Sequence, residues 1–376
     1  MRRERGFTII EFMIAMTLSL LVLAALTAAF VASSRSRAEI EKANEQIENG
    51  RFALQILTDD LEMAGFMSHF DIDLAMSADT NKIVAPGSKP NPCAASLANL
   101  RAALPMHIQG YDNLAALGSE LDDCLADFKA GTDIVAIRRT ATCVGGTANC
   151  APAPGGGAPF FQAALCETQL GSLDANNYYK LETTVGNLNR TGRNCATTAD
   201  RRQYLVHIYF VANNDLAGDG IPTLKRAELV AATGTPASDF TIASLAHGVE
   251  DLQLDYGVDT SGDGAPDVFT SSPDTYDAPG GTSGPYGACS DHNAECVSNW
   301  RNVVAMRINL LARNTSETPD HVDVKVYILG QNDDGTDRCE VDVNADGTCE
   351  AIGGGYKRHV YQTSVRLNNP AGRRES

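Results

Sequence analysis

A long apolar stretch near the N-terminus, from Phe7 to Val31, constrains the fold of this chain more than any other feature. It contains 25 residues, 20 of them apolar, and Glu11 is its only charge. As a helix with a rise of about 1.5 Å per residue, it is long enough to cross the roughly 30 Å hydrocarbon core of a bilayer. Because positive residues favour the cytoplasmic side of a membrane, the arginines before it predict a cytoplasmic N-terminus and a body on the far side. These residues are Arg2, Arg3 and Arg5.

The rest of the chain is strongly acidic. The net charge of all 376 residues is −17, and residues 1–37 carry five Arg and two Glu, which leaves −20 for the remainder. A body of that charge repels phosphate backbones, so direct binding of nucleic acid is disfavoured. The charge is typical of a protein that stays soluble in a salty aqueous compartment.

Ten cysteines all lie beyond residue 90, and none forms a CxxC motif. Zinc ribbons and thioredoxin-like sites therefore lack their usual signature, and disulfides in an extracytoplasmic compartment are the natural alternative. Proximity in the sequence suggests Cys143 with Cys150, Cys289 with Cys296, and Cys339 with Cys349. The other four leave Cys93 with Cys124 and Cys166 with Cys195 as the nearest pairs, although spacing alone does not fix the connectivity.

A cleaved secretory signal is the simplest alternative for the apolar stretch, because Ala28, Ala29 and Ala32 imitate a cleavage site. Glu11 argues against it. A charge inside a membrane segment is costly, and such residues usually have a functional partner. For a carboxylate, the expected partner is an amine.

The segment RGFTIIEFMIAMTLSLLVLAAL resembles the N-terminus of a type IV prepilin. The resemblance implies that a prepilin peptidase cuts between Gly6 and Phe7 and N-methylates the new terminal Phe7, leaving 370 residues. It also implies that Glu11 pairs with the terminal amine of a neighbouring subunit inside an apolar helix bundle, where a low dielectric strengthens the attraction. An unpaired carboxylate there is costly, so this pairing favours one assembly register.

The helix is expected to continue past the membrane to about Ala64, with Gly65 as its stop. An apolar seam with helical spacing supports this, and Gly50 within it is expected to weaken the helix or allow a bend. The seam contains Ile40, Ala43, Ile47, Gly50, Leu54, Leu57, Leu61 and Ala64. Charged residues are expected off the seam, at Glu41, Lys42, Glu45, Glu48, Asp59 and Asp60.

Four segments follow from these patterns. Residues 1–6 are a leader, and residues 7–66 are the long helix, with 7–31 transmembrane. Residues 67–200 are a loop-rich, cysteine-containing insertion with few strands, of which Asp133–Arg139 is the clearest. Residues 201–376 form an antiparallel β-sheet domain, because apolar and polar residues alternate in most of its segments. Its predicted strands are Tyr204–Val211, Leu252–Val258, Val303–Leu311, Val322–Ile328 and Tyr361–Leu367.

Further segments sharpen the resemblance, namely GRFALQILTDDLEMAGF, GDGIPTLKRAEL, GVEDLQLDYGVDTSGDGAPD and WRNVVAMRINLLARN. They look like those of a PilW-type minor pilin, which is related to the J-type pseudopilin of type II secretion. The resemblance covers residues 1–66 and about 201–367. It implies an α+β, type IV pilin-like fold: a long N-terminal helix packed on an antiparallel β-sheet head with disulfide-stapled loops.

The function implied by the resemblance is that of a minor pilin, at the tip or in priming, that contributes to pilus assembly. The implied partners are other minor pilins, the major pilin, prepilin peptidase, the inner-membrane assembly platform and a tip adhesin. The implied location is the inner membrane, crossed once with the body in the periplasm, and then the pilus fibre at the cell surface. A J-type pseudopilin remains an alternative within this class of proteins.

Two acidic loops resemble the first half of an EF-hand, and calcium is the one cofactor they suggest. Neither has the bidentate Glu at position 12, where Thr270 and Gly353 stand, so a true EF-hand is excluded. A hairpin turn remains the alternative for both loops. The candidate ligands are Asp259, Ser261, Asp263 and Asp267 in the first loop, and Asp342, Asn344 and Asp346 in the second.

Catalytic motifs are missing from the sequence. It contains no GxSxG, HExxH, Walker A or GxGxxG motif, and its seven His are scattered. The sequence therefore predicts a protein that is not an enzyme. A membrane-anchored periplasmic enzyme or binding module is the alternative from another class, and it predicts an uncleaved anchor and no role for Glu11.

Overall fold

A computed structural model describes residues 8–72, 75, 83–150, 152–171, 178–231, 238–274, 294–333, 335–339 and 348–374. The first element, α1 (Ile9–Glu62), has 54 residues and is therefore about 81 Å long. Met63 is its C-cap residue, and Gly65 follows with a φ of +71°, the left-handed conformation typical of a residue after a helix. The long helix predicted from the sequence is confirmed from Ile9 onward.

The two halves of α1 have different surroundings. Every residue from 8 to 38 is exposed, whereas the buried residues all lie in the second half. Part of the predicted seam is buried, but Ile40 and Ile47 are 57 % and 41 % exposed. The buried residues of α1 are Gln46, Gly50, Ala53, Leu57, Asp60 and Leu61.

Gly50 lets a strand approach the helix closely. A Cβ atom at this position would lie 2.3–2.8 Å from the ring of Tyr361, which is closer than real side chains pack. The Tyr361 hydroxyl donates to the carbonyl oxygen of Gln46 at 3.4 Å, one turn earlier. The expectation that Gly50 only weakens or bends the helix therefore missed its packing role.

The larger sheet has seven antiparallel strands. Its central strand is β5, which pairs with β2 along one edge and with β3 and then β6 along the other. The strands are β1 (Ile108–Tyr111), β2 (Ile134–Thr140), β3 (Phe160–Ala163), β4 (Tyr179–Glu182), β5 (Arg202–Ala212), β6 (Thr223–Ala231) and β7 (Ser238–His247).

The second sheet has four antiparallel strands in the order β13-β10-β8-β9, and a separate hairpin joins β11 and β12. Their bounds are β8 (Val249–Val258), β9 (Val268–Thr270), β10 (Val303–Arg313), β11 (Ile328–Gln331), β12 (Asp337–Cys339) and β13 (Arg358–Arg366). The shorter helices are α2 (Leu97–Ala102), α3 (Ser119–Asp122), α4 (Glu167–Leu170), α5 (Ala294–Arg301) and α6 (Asn368–Arg374).

Two apolar clusters pack on opposite faces of the larger sheet. Alternate residues of β5 show this, because Tyr209 and Val211 belong to one cluster while Ile208 and Phe210 belong to the other. The first cluster also contains Leu57 of α1 together with residues of β8 and β10, so it lies between the helix and both sheets. This explains why both faces of β5 are apolar in the sequence.

Two sequence expectations need correction. Residues 67–200 contribute β1 to β4, which join the same sheet as β5, so the expected division near residue 200 does not separate two sheets. Three of these strands have only four residues, too few for a clear alternation. The predicted strand at Val322–Ile328 is also wrong, because residues 321–327 are outside any strand and β11 begins at Ile328.

Disulfide bonds fasten several loops. They join cysteines 7 to 31 residues apart in the sequence, with Cα atoms 4.8–5.8 Å apart. Bonds of this kind stabilise a loop mainly by restricting the unfolded chain. The described pairs are Cys93–Cys124, Cys143–Cys150, Cys166–Cys195 and Cys339–Cys349. The suggested pair of Cys289 with Cys296 lies outside the described residues, because Cys289 is not among them.

Candidate assembly site

The first half of α1 exposes a large apolar surface. Ile9 is 81 % exposed and Phe30 is 75 % exposed, and an 18-residue window of the helix has a mean hydropathy of 2.4 with no residue buried. Soluble monomers rarely expose a contiguous apolar surface of this size. Lipid or other helices must therefore cover it, and its length and composition suit a membrane-spanning helix.

Glu11 forms a reciprocal cap at the start of this helix. Its Oε2 accepts hydrogen bonds from the Thr8 backbone N–H and from the Thr8 hydroxyl, both at 2.9 Å. In return, the Glu11 N–H donates to Thr8 Oγ1 at 3.3 Å. This capping box satisfies backbone donors that the first helical turn leaves free, which matters most where water is absent.

The other polar side chains in the apolar stretch bond to the backbone of their own helix. The hydroxyl of Thr17 donates to the Ile14 carbonyl at 2.9 Å, and that of Ser19 donates to the Ala15 carbonyl at 2.7 Å. Thr27 does the same to Leu23 and Ala24. These groups need no partner outside the helix. The negative charge of Glu11 differs, because hydrogen bonds from Thr8 leave it unneutralised.

The structure describes one of the three residues predicted to take part in processing and pairing. Gly6 and Phe7 lie outside the described residues, while Glu11 lies in the first turn of α1, where its carboxylate bonds to Thr8. Thr8 is the second residue of a chain cut after Gly6. The amine pairing of Glu11 therefore remains a hypothesis about the assembled state.

A buried carboxylate in the last turn of α1 fixes the helix to the larger sheet. Asp60 is 5 % exposed, and its Oδ1 accepts a hydrogen bond from Arg139 Nε at 2.5 Å. Its Oδ2 lies 2.6 Å from His207 Nδ1 and accepts a hydrogen bond from the Tyr209 hydroxyl at 2.8 Å. The sequence placed Asp60 among the charged residues off the apolar seam, but it did not show that Asp60 is buried by these partners on β2 and β5.

The protonation of this cluster is set by its partners. Burial alone raises the pKa of Asp60, but the hydrogen bond and charge of His207 and the charge of Arg139 outweigh it and hold that pKa well below its usual range. Burial alone lowers the pKa of His207, but hydrogen bonds with Asp60 and Glu228 outweigh it and raise that pKa. A charged pair between Asp60 and His207 is therefore favoured.

The first acidic loop binds its own backbone. The Asp259 carboxylate accepts hydrogen bonds from the N–H groups of Gly262 at 2.6 Å and Gly264 at 2.9 Å, and Arg374 Nη1 lies 3.2 Å from its Oδ2. Asp267 Oδ2 accepts from the N–H groups of Thr260 and Ser261, both at 2.8 Å. This geometry favours the turn interpretation, since a cation would compete with these donors and with a guanidinium.

We expect calcium up to about millimolar concentration to leave the thermal unfolding of the full chain in detergent unchanged, because the Asp259 carboxylate already has these partners. The measurement is a calcium titration followed by thermal melts, with magnesium as the control cation. A saturable rise that is specific to calcium and is abolished by Asp259→Asn would contradict the expectation for this loop. The second loop, with Asp342, Asn344 and Asp346, lies outside the described residues.

Within the described part of the chain, no group of three or more His, Cys, Asp or Glu side chains is arranged to hold a metal ion. The first acidic loop shows why, because its carboxylates converge on backbone donors instead of on one another.

Comparison with known families matches two parts of the chain. Residues 208–369 match the model of type IV pilus-assembly protein W, and residues 1–27 match the prokaryotic N-terminal methylation motif. The first match covers β6 to β13, the second half of β5 and the start of α6, while the second covers the predicted processing site and much of the exposed helix. No curated protein and no solved structure matches this chain.

Proposed function

We propose that this chain, a type IV pilus minor pilin of the PilW type that prepilin peptidase processes, acts at the tip of the fibre, where it primes or caps assembly. One observation carries the proposal. Among the described residues, the head packs on the second half of α1, and residues 8–38 are left exposed for contact with other helices. A helix that is apolar around its circumference and touches nothing in its own head is suited to join a bundle of similar helices.

Membrane anchoring by this helix precedes assembly. We propose that the N-terminus stays in the cytoplasm and that the head lies in the periplasm, with the inner membrane crossed once. The basic residues before the helix and the disulfides of the head support this orientation. The subunit then passes into the fibre and reaches the cell surface.

The family implies contacts with pilus components. We propose that these are other minor pilins, the major pilin and the inner-membrane assembly platform, with a tip adhesin as a further partner. Prepilin peptidase acts before them, at Gly6 and Phe7. The role is structural: the family suggests a building element of the fibre, and the chain itself is proposed to carry no catalytic activity.

Mass spectrometry of the N-terminal peptide tests this function. We expect a peptide that begins with N-methylated Phe7, both in membranes and in fibres sheared from the cell surface. Replacement of Gly6 by Val should leave Met1 or its successor at the N-terminus, because a branched side chain keeps the peptidase from the backbone it must approach.

The matched control is Ser34→Val, which makes a change to Val at an exposed position of α1 far from the cut. An intact N-terminus in the unaltered chain, or a cut near Ala32, would contradict processing as a prepilin. Correct processing without any subunit in sheared fibres would favour a pseudopilin of a secretion system over a pilus subunit.

A further inference from the structure

A short segment of the head points its apolar residues outward. Residues 321–327 lie outside any strand, yet Val322 and Val324 are 68 % and 77 % exposed, and Val326 and Ile328 are 46 % and 44 % exposed. We call these four side chains the valine ridge. Between them, Asp323 is only 3 % exposed. The usual arrangement of apolar residues inside and polar residues outside is reversed here.

The polar side of the segment is firmly attached to the head. Asp323 Oδ2 accepts hydrogen bonds from the Tyr327 hydroxyl and from Arg358 Nη1, both at 3.0 Å. The Asp323 N–H donates to the carbonyl oxygen of Gly354 at 2.9 Å. Because these bonds fix the segment on one side, the valine ridge is held outward instead of being free to turn toward the core.

From Val322 to Val326, the opposite backbone edge has no strand partner among the described residues. In an extended chain, the N–H and C=O groups of one residue point to one edge of the strand, and those of the next residue point to the other edge. The Asp323 N–H points to the edge that faces Gly354. Among the described residues, the N–H groups of Val322, Val324 and Val326 donate no hydrogen bond. An open edge beside exposed apolar residues is a template on which another chain can add a strand.

A cavity of about 490 Å³ lies between this segment, β13 and the middle of α1. Arg358 in its wall is paired with Glu250 and Asp323. Lys357, also in the wall, is paired with Glu39, whereas Arg51 and Lys325 have no carboxylate partner in the part of the chain that the structure describes. The chain carries a net charge of −17, so this local positive surface stands out and suits an anionic group of a partner.

The cavity is close to the surface proposed for helix packing. Its first helical residue, Ala43, follows Val31 by 12 residues, or about 18 Å along the axis. Exposed Ile40 and Ile47 lie seven residues apart on one side of α1, between the apolar span and the middle of the helix, and Ile47 lines the cavity. A subunit whose helix packs beside residues 7–31 would hold its own head at about this height.

We propose that the valine ridge and the cavity together accept an extended segment of a neighbouring pilin-type subunit. The segment adds as a strand to the open edge, places apolar side chains on the ridge and inserts a carboxylate between Arg51 and Lys325. This inference rests on the proposed function, because the partner is a subunit anchored by the adjacent helix. It adds which face and which backbone edge of the head bind the partner, and it assigns a negative charge to the partner's segment.

Site-specific photo-crosslinking tests the proposal in cells that assemble fibres. The photoreactive p-benzoylphenylalanine replaces Val324, and the control replaces Leu216, which is 71 % exposed in the turn between β5 and β6. We expect an adduct at Val324, several-fold above the control, with another processed pilin-type subunit. The cross-linked peptide should alternate apolar residues and contain Asp or Glu.

A charge variant sharpens this test. Lys325→Glu should lower the adduct yield several-fold, because it repels the partner's carboxylate, whereas Arg193→Glu, at another exposed position, should leave the yield unchanged. Fluorescence of Trp300, the only tryptophan and 1 % exposed, reports whether each variant is folded.

Three results would overturn the proposal: no adduct above the control, an adduct with lipid, or an adduct with this chain's own residues or a second copy. Fibre incorporation, measured in the same cells, separates the two levels. If the chain is processed and reaches the fibre without the adduct, the docking surface fails while the function stands. If the chain never reaches the fibre, both fail.

Discussion

Glu11→Val should be processed and inserted normally yet reach sheared fibres at least about tenfold less than the unaltered chain. The proposed reason is that the Glu11 carboxylate pairs with the terminal amine of a neighbour inside the helix bundle, where no water screens either charge. Without the carboxylate, that amine has no partner. The alignment of neighbouring helices that the pairing would favour is then no longer more stable than other alignments. Quantitative immunoblots of membrane and fibre fractions measure the ratio.

The capping box provides a sharper comparison. Glu11 also accepts two hydrogen bonds from Thr8, so loss of its side chain removes one half of the capping box as well as the charge, while the backbone N–H of residue 11 can still donate to Thr8 Oγ1. Glu11→Gln keeps an oxygen that can accept from the Thr8 N–H but removes the negative charge. If amine pairing governs incorporation, Glu11→Gln should be as defective as Glu11→Val. Normal incorporation of Glu11→Gln would instead assign the role of Glu11 to the cap.

The N-terminal part of the fold could be predicted because its signals are local. An apolar run of membrane length, a single carboxylate near its start and a seam with helical spacing lie within 64 contiguous residues. The helix accordingly begins and ends close to the expected positions. Long, strongly periodic elements are specified by their own sequence more than by their neighbours.

The structure of residues 321–328 could not be predicted from the pattern of the segment alone. Its alternation of valines with polar residues is a strong strand pattern, but alternation does not say whether the apolar side faces the core or the solvent. In the structure the core position is taken by Asp323, which Arg358 and Tyr327 hold in place. These two partners are 35 and 4 residues away, so the pattern of the segment itself gives no sign of the first.

The Asp60 cluster could not be predicted for a related reason. Asp60 follows Asp59 in a segment of helix with several acidic residues, and spacing alone placed both off the apolar seam. Its partners Arg139 and His207 are 79 and 147 residues away, so only the tertiary structure brings them together. Spacing in the sequence reports which face a residue occupies, but not whether another element supplies it with a counter-charge.

Asp60→Asn should lower the free energy of unfolding of the head by about 3–5 kcal/mol, because removing one member of a buried charge cluster leaves its partners uncompensated. Arg139 and His207 are largely buried, and neither can recover full hydration without moving. Asp59→Asn is the matched control, since it makes the same chemical change at the adjacent exposed position. Denaturant unfolding of the full chain in detergent, followed by Trp300 fluorescence, measures both.

The same cluster predicts how stability depends on pH. The pKa of Asp60 is lowered by folding, so its contribution is present above the pKa of an unfolded Asp, about 3.9, and is lost as the pH falls toward the folded value. The pKa of His207 is raised, so its contribution is full below the pKa of an unfolded His, about 6.5, and is lost as the pH rises through the folded value. The cluster therefore stabilises the head most between about pH 4 and 6.5.

In Asp60→Asn, His207 loses its strongest partner, so burial should dominate and lower its pKa. The loss of stability above about pH 6.5 should then disappear, while Asp59→Asn should keep the pH profile of the unaltered head. An unchanged profile in Asp60→Asn would mean that the pair does not carry the charges assigned to it. Because α1 extends from the anchored span to this cluster, a head loosened at Asp60 would also be held less firmly to the helix that is proposed to place it in the fibre.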